Sequence, residues 1–217
     1  MARLLTAFLL LTTAGFAADD RLQASAEVMK EIMATADRAI PHDLLQKAEC
    51  IVIVPGMKKG AFIIGANYGR GFVSCRKERA GWSAPAGIRM EGGSVGFQIG
   101  GSETDVVMLV LNKRGADKLM SSKFTLGGDA SVAAGPVGRT STAETDALMH
   151  AEILSWSRSR GVFAGISLKG ATLRGDKDAN KELYGSELET REIITSKEAP
   201  KAAAALLSVL NKYSSRK

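Results

Sequence analysis

Histidine and cysteine are scarce in this chain, two of each among 217 residues. That leaves His42 and His150 short of the ligand sets that zinc centres use, so no metal site is expected. Aromatic residues make up 6% and are not interleaved with the basic ones, and the +6 formal charge is not gathered into a stripe. Both facts argue against a nucleic-acid binder. Beyond the first 16 residues no apolar run is long enough for a transmembrane helix. Pro55-Gly-Met-Lys-Lys-Gly60 lacks the GK[ST] ending of a nucleotide-binding loop, and nothing else in the chain asks for a cofactor. What is plentiful is glycine, 23 residues, much of it inside strand-like runs. Such glycines weaken strands unless they serve bulges, bends or close backbone approach.

The chain opens with Arg3 and an uncharged apolar stretch from Leu4 to Phe16, followed by small residues Gly15 and Ala17 at the places a signal peptidase needs. Residues 1–17 therefore read as a cleaved signal peptide, with an uncleaved anchor as the alternative. The expectation is an exported protein, periplasmic or extracellular and peripherally attached to membrane. Removal of the signal loses Arg3 and no acid, so +6 becomes +5. The remainder, residues 20–217, is enough for one domain with a sizeable core. A mild basic excess favours anionic surfaces. Cys50 and Cys75 form a disulfide if the compartment is oxidising; two buried thiols are the other reading.

Leu22, Ala26, Met29, Met33, Ala36 and Ile40 recur at helical spacing, so a first helix is expected to run to Pro41 with one apolar face. That face is expected to pack on the domain. Its polar side is net −1 over Asp20 to Ile40, unlike the cation-rich face of a membrane-lying helix. Cys50–Val54 is continuously apolar, as in a strand buried on both faces, and Pro55-Gly56 is expected to end it. Further strands are expected at 61–65, 71–75, 95–99, 106–111, 130–134 and 162–168, with a turn at Asn67-Tyr68-Gly69. Asn112 can cap a helix over Lys113–Met120, and Ser141 with Glu144 has capping-box spacing. Asp178–Tyr184 reads as a short helix closed by Gly185, and Ala199–Tyr213 as a final helix. The fold class is α+β: one domain, a curved antiparallel sheet or barrel with helices at both termini.

Four ordered blocks carry a resemblance: GAFIIGANYGRGFVSCR from Gly60, WSAPAGIRMEGGSVGFQIGGSETDVVMLVLN from Trp82, FTLGGDASVAAGPVGR from Phe124 and AEILSWSRSRGVFAGISLKGATLRG from Ala151. Together they span most of residues 50–185, and they resemble the SYLF domain family of lipid-binding modules. The resemblance implies a non-enzymatic protein that recognises phospholipid or phosphoinositide headgroups. On an exported chain anionic phospholipids would take the place of phosphoinositides. In some eukaryotic relatives a basic amphipathic N-terminal segment engages lipid, which the net-acidic first helix here does not match. Other relatives act on actin; an exported chain without a proline-rich motif gives no reason to carry that over.

Lys58 and Lys59, in the loop expected after Cys50–Val54, are candidate headgroup contacts. Arg158 and Arg160 share a face of an extended segment and can grip phosphate bidentately. A solvated turn for the lysines, and pairing with Asp or Glu for the arginines, are the plain alternatives. Gly92-Gly-Ser94-Val-Gly96 matches G-x-S-x-G, and Ser94, Asp129 and His150 stand in a permissible triad order. The esterase chemistry needs Ser94 on a sharp strand-to-helix turn, whereas alternating strand follows. The sequence therefore points to a lipid-binding envelope protein, with a scaffold for protein partners as the alternative and a Ser94 esterase third.

Overall fold

The computed structural model describes residues 17–34, 39–61, 64–77, 81–95, 100–137, 150–159 and 162–214. At 59–61, 64–66, 93–95, 100–102 and 163 only the backbone is described. Helix α1 (Ala18–Ala34) and α2 (His42–Lys47) lead into β1 (Cys50–Ala61), β2 (Ile64–Cys75), β3 (Ala86–Val95) and β4 (Gly100–Val110). Then follow α3 (Lys113–Leu119), β5 (Lys123–Thr125), β6 (Val132–Ala134), β7 (Ile153–Ser159), β8 (Val162–Gly165) and β9 (Thr172–Gly175). The chain closes with α4 (Lys177–Tyr184), α5 (Thr190–Ser196), a 3₁₀ turn at Lys201–Ala203 and α6 (Ala204–Ser214).

All nine described strands belong to one sheet, ordered β5-β9-β3-β2-β1-β4-β7-β6, with β8 also on β7. β5 and β6 stand at opposite ends of this order, yet only residues 126–131 separate them, and Leu126 bridges Ala130. The two ends can meet only if the sheet curls, so it forms a half-barrel. This is the expected α+β domain. The pairing is antiparallel except between β6 and β7, which run parallel, making the sheet mixed.

Alternation along β1 explains why Cys50–Val54 is apolar throughout. Cys50, Val52 and Val54 face an inner cluster with Met90, Met108, Phe124, Leu126 and Leu173. Ile51 and Ile53 face an outer cluster with Phe72, Val107, Leu109 and Trp156, covered by α1 and α6. α1 buries Leu22, Ala26, Val28, Met29, Ile32 and Met33 there. Burying the five larger side chains contributes on the order of 10 kcal/mol.

Pro55-Gly56 does not end the strand, as expected from sequence; it makes a bulge within it. Register shifts between Val54 and Met57 against β4, and between Ile53 and Lys58 against β2. Proline donates no ladder hydrogen bond, and Gly56 takes a positive φ of 59°. Across the bulge, Gly71 lets β2 close on β1: a Cβ there would lie 2.0 Å from the Ile53 carbonyl oxygen. The bulge also switches parity. Even-numbered residues face inward before it, whereas Met57 is buried inside and Lys58 emerges on the outer face.

Other expectations shift by local physics. Asn67-Tyr68-Gly69 is not a turn but lies within β2, paired on both sides. Pro41 does not close α1, which is described to Ala34, but stands at the N-cap of α2. The final helix begins as a 3₁₀ turn, and α5 forms in a polar stretch that carries no clear helical periodicity. The Asn112 side chain accepts from Gly115 N–H as the cap of α3, and Gly185 closes α4 at φ 76°. Residues 1–16, Arg160, the capping-box pair Ser141 and Glu144, and the 96–99 part of an expected strand lie outside the described residues.

Candidate functional site: the outer face of the sheet

Of the four sequence-predicted cations, the side chains of Lys58 and Arg158 are described, and they have different surroundings. Lys58 lies in β1 rather than a loop, exposed, directly opposite Glu103 of β4 and Tyr68 of β2. Lys59 is in β1 too, opposite Asn67 and Ser102, with its side chain outside the description. Arg158 is engaged with acids. Its Nε donates to Asp105 Oδ2 at 2.8 Å, Nη2 lies 2.6 Å from the same oxygen, and Nη1 contacts Glu31 of α1. Asp105 in turn accepts from Gly56 N–H at 2.9 Å, which ties this cluster to the bulge. Arg158 thus pins the C-terminal half of α1 to β4 and β7.

A second cluster holds the other end of α1. Arg70 of β2 forks onto Asp176, with Nε to Oδ2 at 2.5 Å and Nη2 to Oδ1 at 2.7 Å. Asp176 is fully buried and caps α4 through Ala179 N–H at 3.3 Å. Burial alone would raise its pKa. The Arg70 hydrogen bond, the Ala179 N–H and the charges of Arg70 and Arg89 outweigh burial and hold the carboxyl below its usual range. Arg21 of α1, 7% exposed, is held below its ordinary value by burial and by Arg70, with Asp176 and Glu182 opposing.

Register sets a row of cations across the outer face beyond α1. Arg70 of β2 pairs with Arg89 of β3, Arg89 with Arg174 of β9, and Arg174 with Lys123 of β5. Strands lie about 4.8 Å apart, so the row spans about 14 Å. Like charges directly opposite one another cost stability. Acids offset part of that cost. Asp176 answers Arg70, and Glu91 lies 3.7 Å from Arg174. Arg89, in the middle, keeps a buried Nε with no hydrogen-bond partner among the described residues. No local motif marks these residues, because they come from four strands and only pairing aligns them.

The three residues of the hydrolase pattern lie on separate elements. Ser94 lies in β3 opposite Gly65, within paired strand. Asp129 takes a turn-capping role, accepting from Thr125 N–H at 2.6 Å. The His150 carbonyl accepts from Ser131 Oγ at 2.9 Å. Among the described residues no group of His, Cys, Asp and Glu could hold a metal ion. The Sγ atoms of Cys50 and Cys75 are bonded at 2.01 Å between facing residues of β1 and β2.

Residues 91–213, from β3 through α6, match the Ysc84 family, described as Las17-binding protein actin regulator. The chain belongs to the Ysc84 family, the SYLF family of the resemblance. Over 181 residues it is 36% identical to an SH3 domain-containing protein of Schizosaccharomyces pombe, covering 81% of this chain and 42% of that protein. It is 35% identical over 172 residues to LAS seventeen-binding protein 3 of Saccharomyces cerevisiae, covering 77% and 37%. The SH3 domain-containing YSC84-like protein 1 of Mus musculus is 32% identical over 183 residues, covering 83% and 53%. The chain therefore spans about half or less of these relatives' length. Family membership overturns the expectation of an exported, periplasmic or extracellular protein. A family described as regulating actin, with SH3 domain-containing members in yeasts and animals, belongs where actin filaments are, inside cells. The reason for setting phosphoinositides and actin aside falls with it.

Proposed function

We propose that this Ysc84-family domain is a non-enzymatic module that binds anionic phospholipid surfaces, phosphoinositides included, through basic side chains on the outer face of its sheet. One observation carries the reading: the in-register row Arg70–Arg89–Arg174–Lys123, in which Arg89 and Lys123 make no close ion pair among the described residues, Arg89 acting on Asp176 only through space. Such a row is costly in isolation and is relieved by an external anion. Arg158 contributes to folding in this reading, not to headgroup contact.

The test is co-sedimentation with vesicles. Binding to phosphatidylserine-containing vesicles should exceed binding to phosphatidylcholine alone. It should fall with salt, since exposed charges are screened beyond about 8 Å at physiological ionic strength. Each basic residue near an anionic surface contributes about 1 kcal/mol. Replacing Arg89, Arg174 and Lys123 with Gln should therefore weaken binding on the order of a hundredfold. Binding unmoved by salt and by these substitutions would sink the reading.

The second reading is a scaffold for protein partners. It is favoured by relatives named LAS seventeen-binding proteins and by the family's description as actin regulators. Saturable binding to actin or to a Las17-type protein, with no vesicle binding under any condition, would favour it.

A further inference from the structure

Tyr68 is one of three large hydrophobic side chains exposed among the described residues, at 45%. It stands mid-strand in β2, opposite Lys58 of β1 and Glu91 of β3. Arg70 follows two residues later on the same face, opposite Arg89. From Lys58 on β1 to Lys123 on β5 the five strands β1, β2, β3, β9 and β5 cover about 19 Å. An aromatic ring with a polar tip, set in a field of cations, suits the boundary between headgroups and acyl chains. α1 offers no comparable surface. Its apolar side chains are buried in the outer core cluster, and polar contacts hold both ends: Glu31 pairs with Arg158, and Ala18 N–H donates to Glu182 at 2.8 Å.

We propose that an anionic bilayer docks on the open sheet face with Tyr68 as its interfacial anchor, while α1 stays packed on the core. The orientation rests on the phospholipid-binding reading above. Glu91 and Glu103 sit beside the contact, opposite Tyr68 and Lys58, so the face is selective for strongly anionic surfaces rather than uniformly adhesive.

Tryptophan reporters in the full chain test this, because native Trp82 and Trp156 are 4% and 0% exposed and give a steady background. Tyr68→Trp reports the sheet face, and Gln23→Trp reports the exposed side of α1. With phosphatidylserine–phosphatidylcholine vesicles carrying brominated acyl chains, Tyr68→Trp should be quenched and blue-shifted, and Gln23→Trp should not. Tyr68→Ser should weaken vesicle binding about tenfold while Tyr68→Phe retains it; melting temperatures check that both variants fold. Vesicle binding with quenching at position 23 and none at 68 overturns the orientation and leaves the phospholipid reading intact. No vesicle binding by the unaltered chain overturns both.

Discussion

Arg70 and Asp176 are 106 residues apart in sequence, and the structure joins them by two charge-assisted hydrogen bonds. One partner is fully buried, and it also caps α4. The pair therefore ties β2 to the helix that follows β9.

Breaking this pair should be costly. Arg70→Met leaves the Asp176 carboxylate buried without its fork, and a loss of about 3 kcal/mol is expected. Urea unfolding followed by circular dichroism measures it.

Acid should release the same stability. The folded pKa of Asp176 lies below its unfolded value. Its contribution is then complete above the unfolded pKa, near 3.8, and is lost as pH falls through the lower folded value. Asp176→Asn should lower stability at neutral pH and show a shallower decline than the unaltered protein below about pH 4. Equal slopes in the two acid titrations would show that Asp176 is not the group responsible.

The Cys50–Cys75 bond closes a separation of 25 residues. Constraint of the unfolded chain over such a loop stabilises by about 3 kcal/mol. Reduction, or replacement of both cysteines by Ala, should lower the unfolding free energy by that order and leave the pairing of β1 and β2 in place. Denaturation with and without a thiol reductant checks this.

α1 should behave as core. Met29→Ala should cost about 2–4 kcal/mol of stability. Vesicle binding per folded molecule should not change. A selective loss of vesicle binding at unchanged stability would instead make α1 the lipid contact.

Ser94→Ala should leave vesicle binding unchanged, and a fluorophosphonate probe should not label the unaltered protein. Labelling that disappears in the Ser94→Ala variant would establish a serine hydrolase.

Much of the local structure is legible in the residues themselves. Cys50–Val54 reads as a strand buried on both faces because every position is apolar, and both core clusters take from it. Asn112 and Gly185 read as helix ends because their chemistry suits the cap positions where the structure places them. The bulge is not legible, since Pro55-Gly56 looks the same in a turn as within a strand until neighbouring strands supply a register.

The α+β class, the docked first helix and the family are readable from residues alone, because they depend on periodicity, capping chemistry and long ordered blocks. Which cations are engaged by acids follows only from the three-dimensional pairing. Arg158 meets Asp105 across 53 residues and Arg70 meets Asp176 across 106, while Arg89 stands between two other arginines. Charge is a property of single residues, but its compensation depends on distance in space, and strand register sets that distance.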